Sequence, residues 1–173
     1  ASLRSSIVSH AKTLGYEVTS ARAPIATINV ALTTSSSTKT MSAGTAFTTT
    51  VDDVSYQFVT VADVTGSNSA GQVSFDSTKI YEGTYVTNKF IVDTSDAEQR
   101  FILGDNRADT STLTVKVQTS ATDTSTITYT KATDISQLSA TSTVYYLQEV
   151  ERGRFEVYFG DGVVSKALSD GNI

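Results

Sequence analysis

The sequence predicts a mainly β, β-rich α+β fold: antiparallel sheets with an N-terminal amphipathic helix and one short helical turn. Three observations predict it. Of the 173 residues, 29 are threonine and 23 are serine, and Thr, Val, Ile, Phe and Tyr suit a pleated, half-buried surface. Apolar and polar residues alternate with period two in run after run. Short turn-forming clusters separate the runs and leave little room for the helical crossovers of a parallel sheet.

Taken along the chain, the first element is the helix. Leu3, Ile7, Ala11 and Leu14 recur at helical spacing, and Gly15 followed by Tyr16 has the form of a C-terminal cap. A strand follows over residues 25–34, then the linker-like Ser35-Ser36-Ser37-Thr38. Phe58, Thr60, Ala62 and Val64 alternate as a further strand, and Leu113, Val115 and Val117 alternate with threonine, lysine and glutamine as a half-buried one. Stretches 65–71 and 119–126 are poor in apolar residues and read as exposed loops. Thr133 is placed to cap one helical turn over residues 134–138. Two last runs, 144–151 and 154–159, flank Arg152-Gly153, a hairpin connection because glycine tolerates positive φ. Gly104-Asp105-Asn106 and Gly160-Asp161-Gly162 are turn chemistry. Both ends read as cut, so the chain is expected to be a fragment of a longer one, a single β-rich body over residues 1–173 with an outer subdomain within about 40–130.

Composition excludes several chemistries. The chain has no cysteine, which removes disulfide scaffolds, zinc fingers and thiol enzymes. No apolar run approaches the roughly 18 residues of a membrane span. A net charge of −5 with scattered lysines and arginines is a poor match for a phosphate backbone. The single imidazole, His10, lies on the polar flank of the helix and reads as a surface residue. Glu149, Glu151 and Glu156 flank the last turn, and a carboxylate pair there would suit glycoside hydrolysis. Arg152 and Arg154 are interleaved with them, so cross-strand charge pairing is the simpler account. Asp93, Ser95, Asp96 and Glu98, like Asp105, Asn106 and Asp109, offer hard oxygens without calcium-loop spacing, which favours turns over metal. No catalytic, cofactor-binding or metal-ligating residue is therefore assigned. A carbohydrate-binding or adhesin-like β module, with Tyr81 and Tyr85 as a stacking face, is the alternative that the residues suggest.

An ordered series of motifs adds to this. It runs from His10-Ala11-Lys12-Thr13-Leu14-Gly15-Tyr16 through Ser20-Ala21-Arg22-Ala23-Pro24, Gly44-Thr45-Ala46-Phe47, Tyr81-Glu82-Gly83-Thr84 and Asp109-Thr110-Ser111-Thr112-Leu113. It closes with Leu147-Gln148-Glu149, Phe155 to Gly162, and Ser169-Asp170-Gly171-Asn172. In this order the chain resembles the baseplate J-like family of contractile-tail bacteriophages, and within it the baseplate wedge proteins of T-even-type phages. The resemblance implies a structural, non-enzymatic subunit of the virion tail baseplate, assembled in the host cytoplasm, contributing to the ring around the tail hub. It implies other wedge subunits and a second copy of the chain (a homodimer) as partners, with no cofactor, nucleic acid, membrane or small-molecule substrate.

Overall fold

The computed structural model describes residues 7, 10, 16 and 18–173. It divides into two compact units, Ala23–Thr87 and Ala1–Arg22 with Asn88–Ile173. Every described strand pairing but one is antiparallel, as the short connections predict.

The unit Ala23–Thr87 holds six strands: β1 (Ile25–Thr33), β2 (Thr38–Met41), β3 (Ala46–Val51), β4 (Val54–Val59), β5 (Val64–Ser69) and β6 (Gln72–Glu82). They lie in the order β2-β5-β6-β4-β3, with β1 along β6. Two hairpins close through two-residue turns. Val51 pairs with Val54 and Ser69 with Gln72, and the intervening residues all take positive φ: Asp52 49°, Asp53 62°, Ala70 53° and Gly71 83°. That is the primed turn whose twist matches the flanking strands.

The long β6 organises the sheet. Val73 and Phe75 are buried, and so are Thr78 and Ile80. Strict alternation would send Thr78 to the opposite face from Phe75. Instead the register with β1 slips between Ile28 and Val30, so that Asp76 and Ser77 both stand opposite Asn29. Ser77 turns to φ 52°, and its N–H donates to Asn29 Oδ1 at 2.7 Å. This bulge absorbs one residue and keeps all four buried side chains on one face. Met41, Val73 and Phe75 form the core there, with Val30, Phe47 and Val64 against it.

The other unit carries β7 (Phe101–Ile102), β8 (Val115–Gln118), β9 (Thr126–Lys131), β10 (Val144–Glu149) and β11 (Phe155–Tyr158), in the order β7-β11-β10-β9-β8. Leu103, Tyr129, Tyr145, Phe155 and Val157 are its buried centre. Phe90, Phe101, Phe159 and Tyr129 follow one another edge to face at centroid distances of 5.5, 5.8 and 5.5 Å, the arrangement that aromatic quadrupoles favour. β9 and β10 pair in parallel. The segment 132–143 between them is long enough for that crossover and contains the helical turn Ile135–Gln137.

Several sequence expectations are corrected. The N-terminal amphipathic helix falls largely outside the described residues and is not supported. Of its apolar stripe only Ile7 is described, and Ile7 is 58% exposed instead of lying in a core. The strand read through Phe58, Thr60, Ala62 and Val64 stops at Val59 and resumes as β5. Thr60, 1% exposed, still bonds the chain leading into β3 through its backbone, N–H to the Thr45 carbonyl at 3.1 Å and carbonyl from Gly44 N–H at 2.8 Å, while its hydroxyl donates to the Ser42 carbonyl at 2.8 Å and accepts from Thr45 N–H at 3.0 Å. The turn at residues 135–137 is capped by Asp134 and not Thr133. The loop reading of 65–71 gives way to the β5–β6 hairpin.

Gly66 and Ala70 make testable points. A Cβ on Gly66 would lie 2.6 Å from Val73 Cγ1 and 2.7 Å from the Ser74 carbonyl oxygen. Because the latter is backbone, Gly66→Ala is expected to destabilise the chain by about 1–3 kcal/mol in urea unfolding. Ala70 sits at left-handed φ without a side chain suited to it, so Ala70→Asn is expected to raise stability by up to about 1 kcal/mol in the same measurement.

Candidate functional site

The residues with the most chemical potential gather on the β10–β11 hairpin, and the sheet sorts them by face. Gln148 pairs with Glu156 and Glu149 with Phe155. Side chains alternate along each strand, so Glu149 and Glu156 project from opposite faces. Glu149 shares the core face with Leu147 and Val157; Glu156 shares the other with Tyr146 and Tyr158. Glu151 is exposed in the turn Glu151–Gly153. The three carboxylates considered for glycoside hydrolysis therefore do not converge.

Glu156 is buried and doubly held. Arg100 Nε donates to Oε1 at 2.9 Å and Arg100 Nη2 donates to Oε2 at 2.7 Å, the planar fork that arginine offers a carboxylate. Gln148 Nε2 donates to Oε2 at 2.9 Å. The Arg100 hydrogen bonds hold the Glu156 carboxyl below its ordinary value, outweighing the burial that would raise it. The same contact raises the Arg100 guanidinium. A carboxylate held ionised in this way is a poor proton donor, whereas it is well suited to fastening the chain before β7 onto the hairpin. The expected charge pairing thus occurs for Glu156, but with Arg100, not with Arg152 or Arg154. Arg152 takes φ 59° beside Gly153 at 77°, which makes the turn itself.

The aspartates serve turns. Asp93, Asp109 and Asp134 each accept, on Oδ1, both the N–H and the hydroxyl of the serine two residues on, at 2.6–2.9 Å. Asp123 accepts from Ser125 N–H at 3.0 Å, Asp96 from Glu98 N–H at 3.0 Å and Asp105 from Arg107 N–H at 2.8 Å. The serine hydroxyl is the leading reason that Asp93, Asp123 and Asp134 lie below the usual carboxylate range. The same oxygens that a metal would need thus already accept local donors. Among the described residues no three His, Asp or Glu side chains gather where a metal ion could sit, and no helix is long and apolar enough to cross a membrane. His10 is exposed.

Gly160 and Gly162 position the segment after β11. Gly162 N–H donates to the Ser165 carbonyl at 2.9 Å, and a Cβ on Gly160 would collide with Ser165 Oγ. Ser165, fully buried, meets Tyr146 Oη at 3.1 Å, and Tyr146 stacks on Tyr158 at 5.1 Å and 22°. Sequence reasoning missed this stacked pair, although both tyrosines fall on one face once the hairpin register is drawn. Of the tyrosines it did propose as a stacking face, Tyr81 is half-buried, and Tyr85 is 41% exposed with its ring against Gly44, 3.3 Å from where a Cβ would be.

Residues 86–173, which contain the whole five-stranded sheet, match the family model of the bacteriophage baseplate wedge protein gp6, third domain. No curated protein matches the chain.

Glu156 supplies a pH test. Its folded value is depressed, so its contribution is present above the ordinary glutamate value of 4.5 and is lost as pH falls through the folded value. Glu156→Gln is expected to cost about 1–2 kcal/mol at pH 7, because Arg100 is half-exposed and water screens the pair. The gap between the two proteins in urea unfolding should narrow below about pH 4.5; a gap that widens on acidification contradicts the assignment.

Proposed function

We infer the role of this chain from one premise: it belongs to the family of the bacteriophage baseplate wedge protein gp6. That family is a structural one of the phage tail baseplate, and the role it carries is contact with other baseplate proteins. We propose the finer reading that the chain is part of a wedge subunit which helps assemble the baseplate and close the ring around the tail hub, after assembly in the host cytoplasm. Self-association as a homodimer within the wedge belongs to the same proposal.

The family match carries this reading, and the geometry supports it. Glu156 is committed to Arg100 and Gln148, and the aspartates to their own turns. The sheets present hydroxyls outward: Thr126, Thr128 and Thr130 on β9, Thr48 and Thr50 on β3 are exposed. Such faces suit wet, hydrogen-bonded contacts between subunits.

The test is assembly. Purified chain mixed with the other wedge proteins of its phage is expected to co-sediment with them, and sedimentation of the chain alone at rising concentration to report the dimer. Particles that form normal baseplates without the protein carrying this chain would refute the reading.

A further inference from the structure

Most strand edges in this protein are short, charged or covered. β7 has two residues. β8 has four residues, carries Lys116 and pairs at Gln118 with Ile173, Gln118 N–H donating to the Ile173 carbonyl at 2.7 Å and the reverse bond at 3.1 Å. β2 has four residues and carries Lys39, and β3 runs six residues into the acidic turn Asp52-Asp53. β1 differs. It is nine residues long, Ile-Ala-Thr-Ile-Asn-Val-Ala-Leu-Thr, without a charge or a proline. One edge pairs with β6 along its length, and among the described residues no strand pairs with the other.

That open edge spans about 30 Å, with alternate N–H and C=O groups pointing outward. Proteins blunt exposed edges with lysine, proline or a bulge. Among the described residues, the bulge in this strand pair lies on the paired side, in β6. The exposed side chains beside the edge are neutral and include Ile25 at 57% and Leu32 at 44% exposure. A row of unsatisfied backbone groups is complementary to one kind of occupant, an extended backbone. With no charge in β1 to answer one, the segment that fits is uncharged.

We propose that β1 is a strand-addition site, on which an extended, uncharged segment of another baseplate protein pairs as an additional strand. The identity of the partner class rests on the baseplate reading above; the mode of binding rests on the edge.

Hydrogen exchange on the whole chain, free and incorporated into wedges reconstituted from the purified baseplate proteins, tests it. The outward amides of β1 are expected to slow by about a hundredfold on incorporation. Ile25→Lys with Ala31→Lys, both at exposed positions, is expected to lower incorporation about tenfold while leaving the urea midpoint of the free chain in place. Incorporation with β1 amides as fast as in the free chain overturns the site. So does β1 protection in the chain alone together with a doubled mass, which would assign the edge to a second copy. Failure of the unmodified chain to incorporate at all refutes the baseplate reading, and the strand-addition site falls with it.

Discussion

Every strand of the six-stranded sheet is held directly or through one neighbour by β6, and β6 can serve them only by keeping one face apolar along its whole length. Its sequence does not alternate cleanly, because Asp76 and Ser77 insert one residue between Phe75 and Thr78. Without a bulge, Thr78 and Ile80 would turn to solvent and Ala26 and Ile28 of β1 would lose their partners. A left-handed Ser77 and an Asn29 side chain that takes its N–H resolve the conflict locally. The core of Met41, Val73 and Phe75 and the docking of β1 both follow from that correction.

In the five-stranded sheet the equivalent constraint is electrostatic. Glu156 is held where water is scarce, and its two oxygens need three donors. Supplying them draws Arg100 to the hairpin and fixes where the chain enters β7. Burial and ion pairing work together here, since Tyr146 and Tyr158 stack on the same face and Ser165 closes over it.

The strands 25–33, 115–118, 144–149 and 155–158 were legible because β-branched, aromatic and aliphatic residues keep one period-two phase through each. β6 was not, because its phase slips at residue 76; a search for apolar residues an odd number of positions apart, such as Phe75 and Ile80, would have exposed the bulge. The surroundings of Thr60, just after β4, were hidden because its contacts, the hydroxyl on the Ser42 carbonyl among them, are long-range. Glu156 drew attention in the sequence, but its partner lies 56 positions away at Arg100, so adjacent arginines were the natural guess. The opposite faces of Glu149 and Glu156 follow from a turn length that composition does not specify. The family was legible only through motif order.

The two-residue turns have a consequence for how the unit Ala23–Thr87 forms. The β3–β4 and β5–β6 hairpins join residues a few positions apart, so they close early and cheaply in chain entropy. β1 must find β6 across 56 positions between Ile25 and Tyr81, which makes its docking the late, non-local step. The strand laid down last is thus also the one with a free side, and during folding it meets a hairpin platform that is already complete.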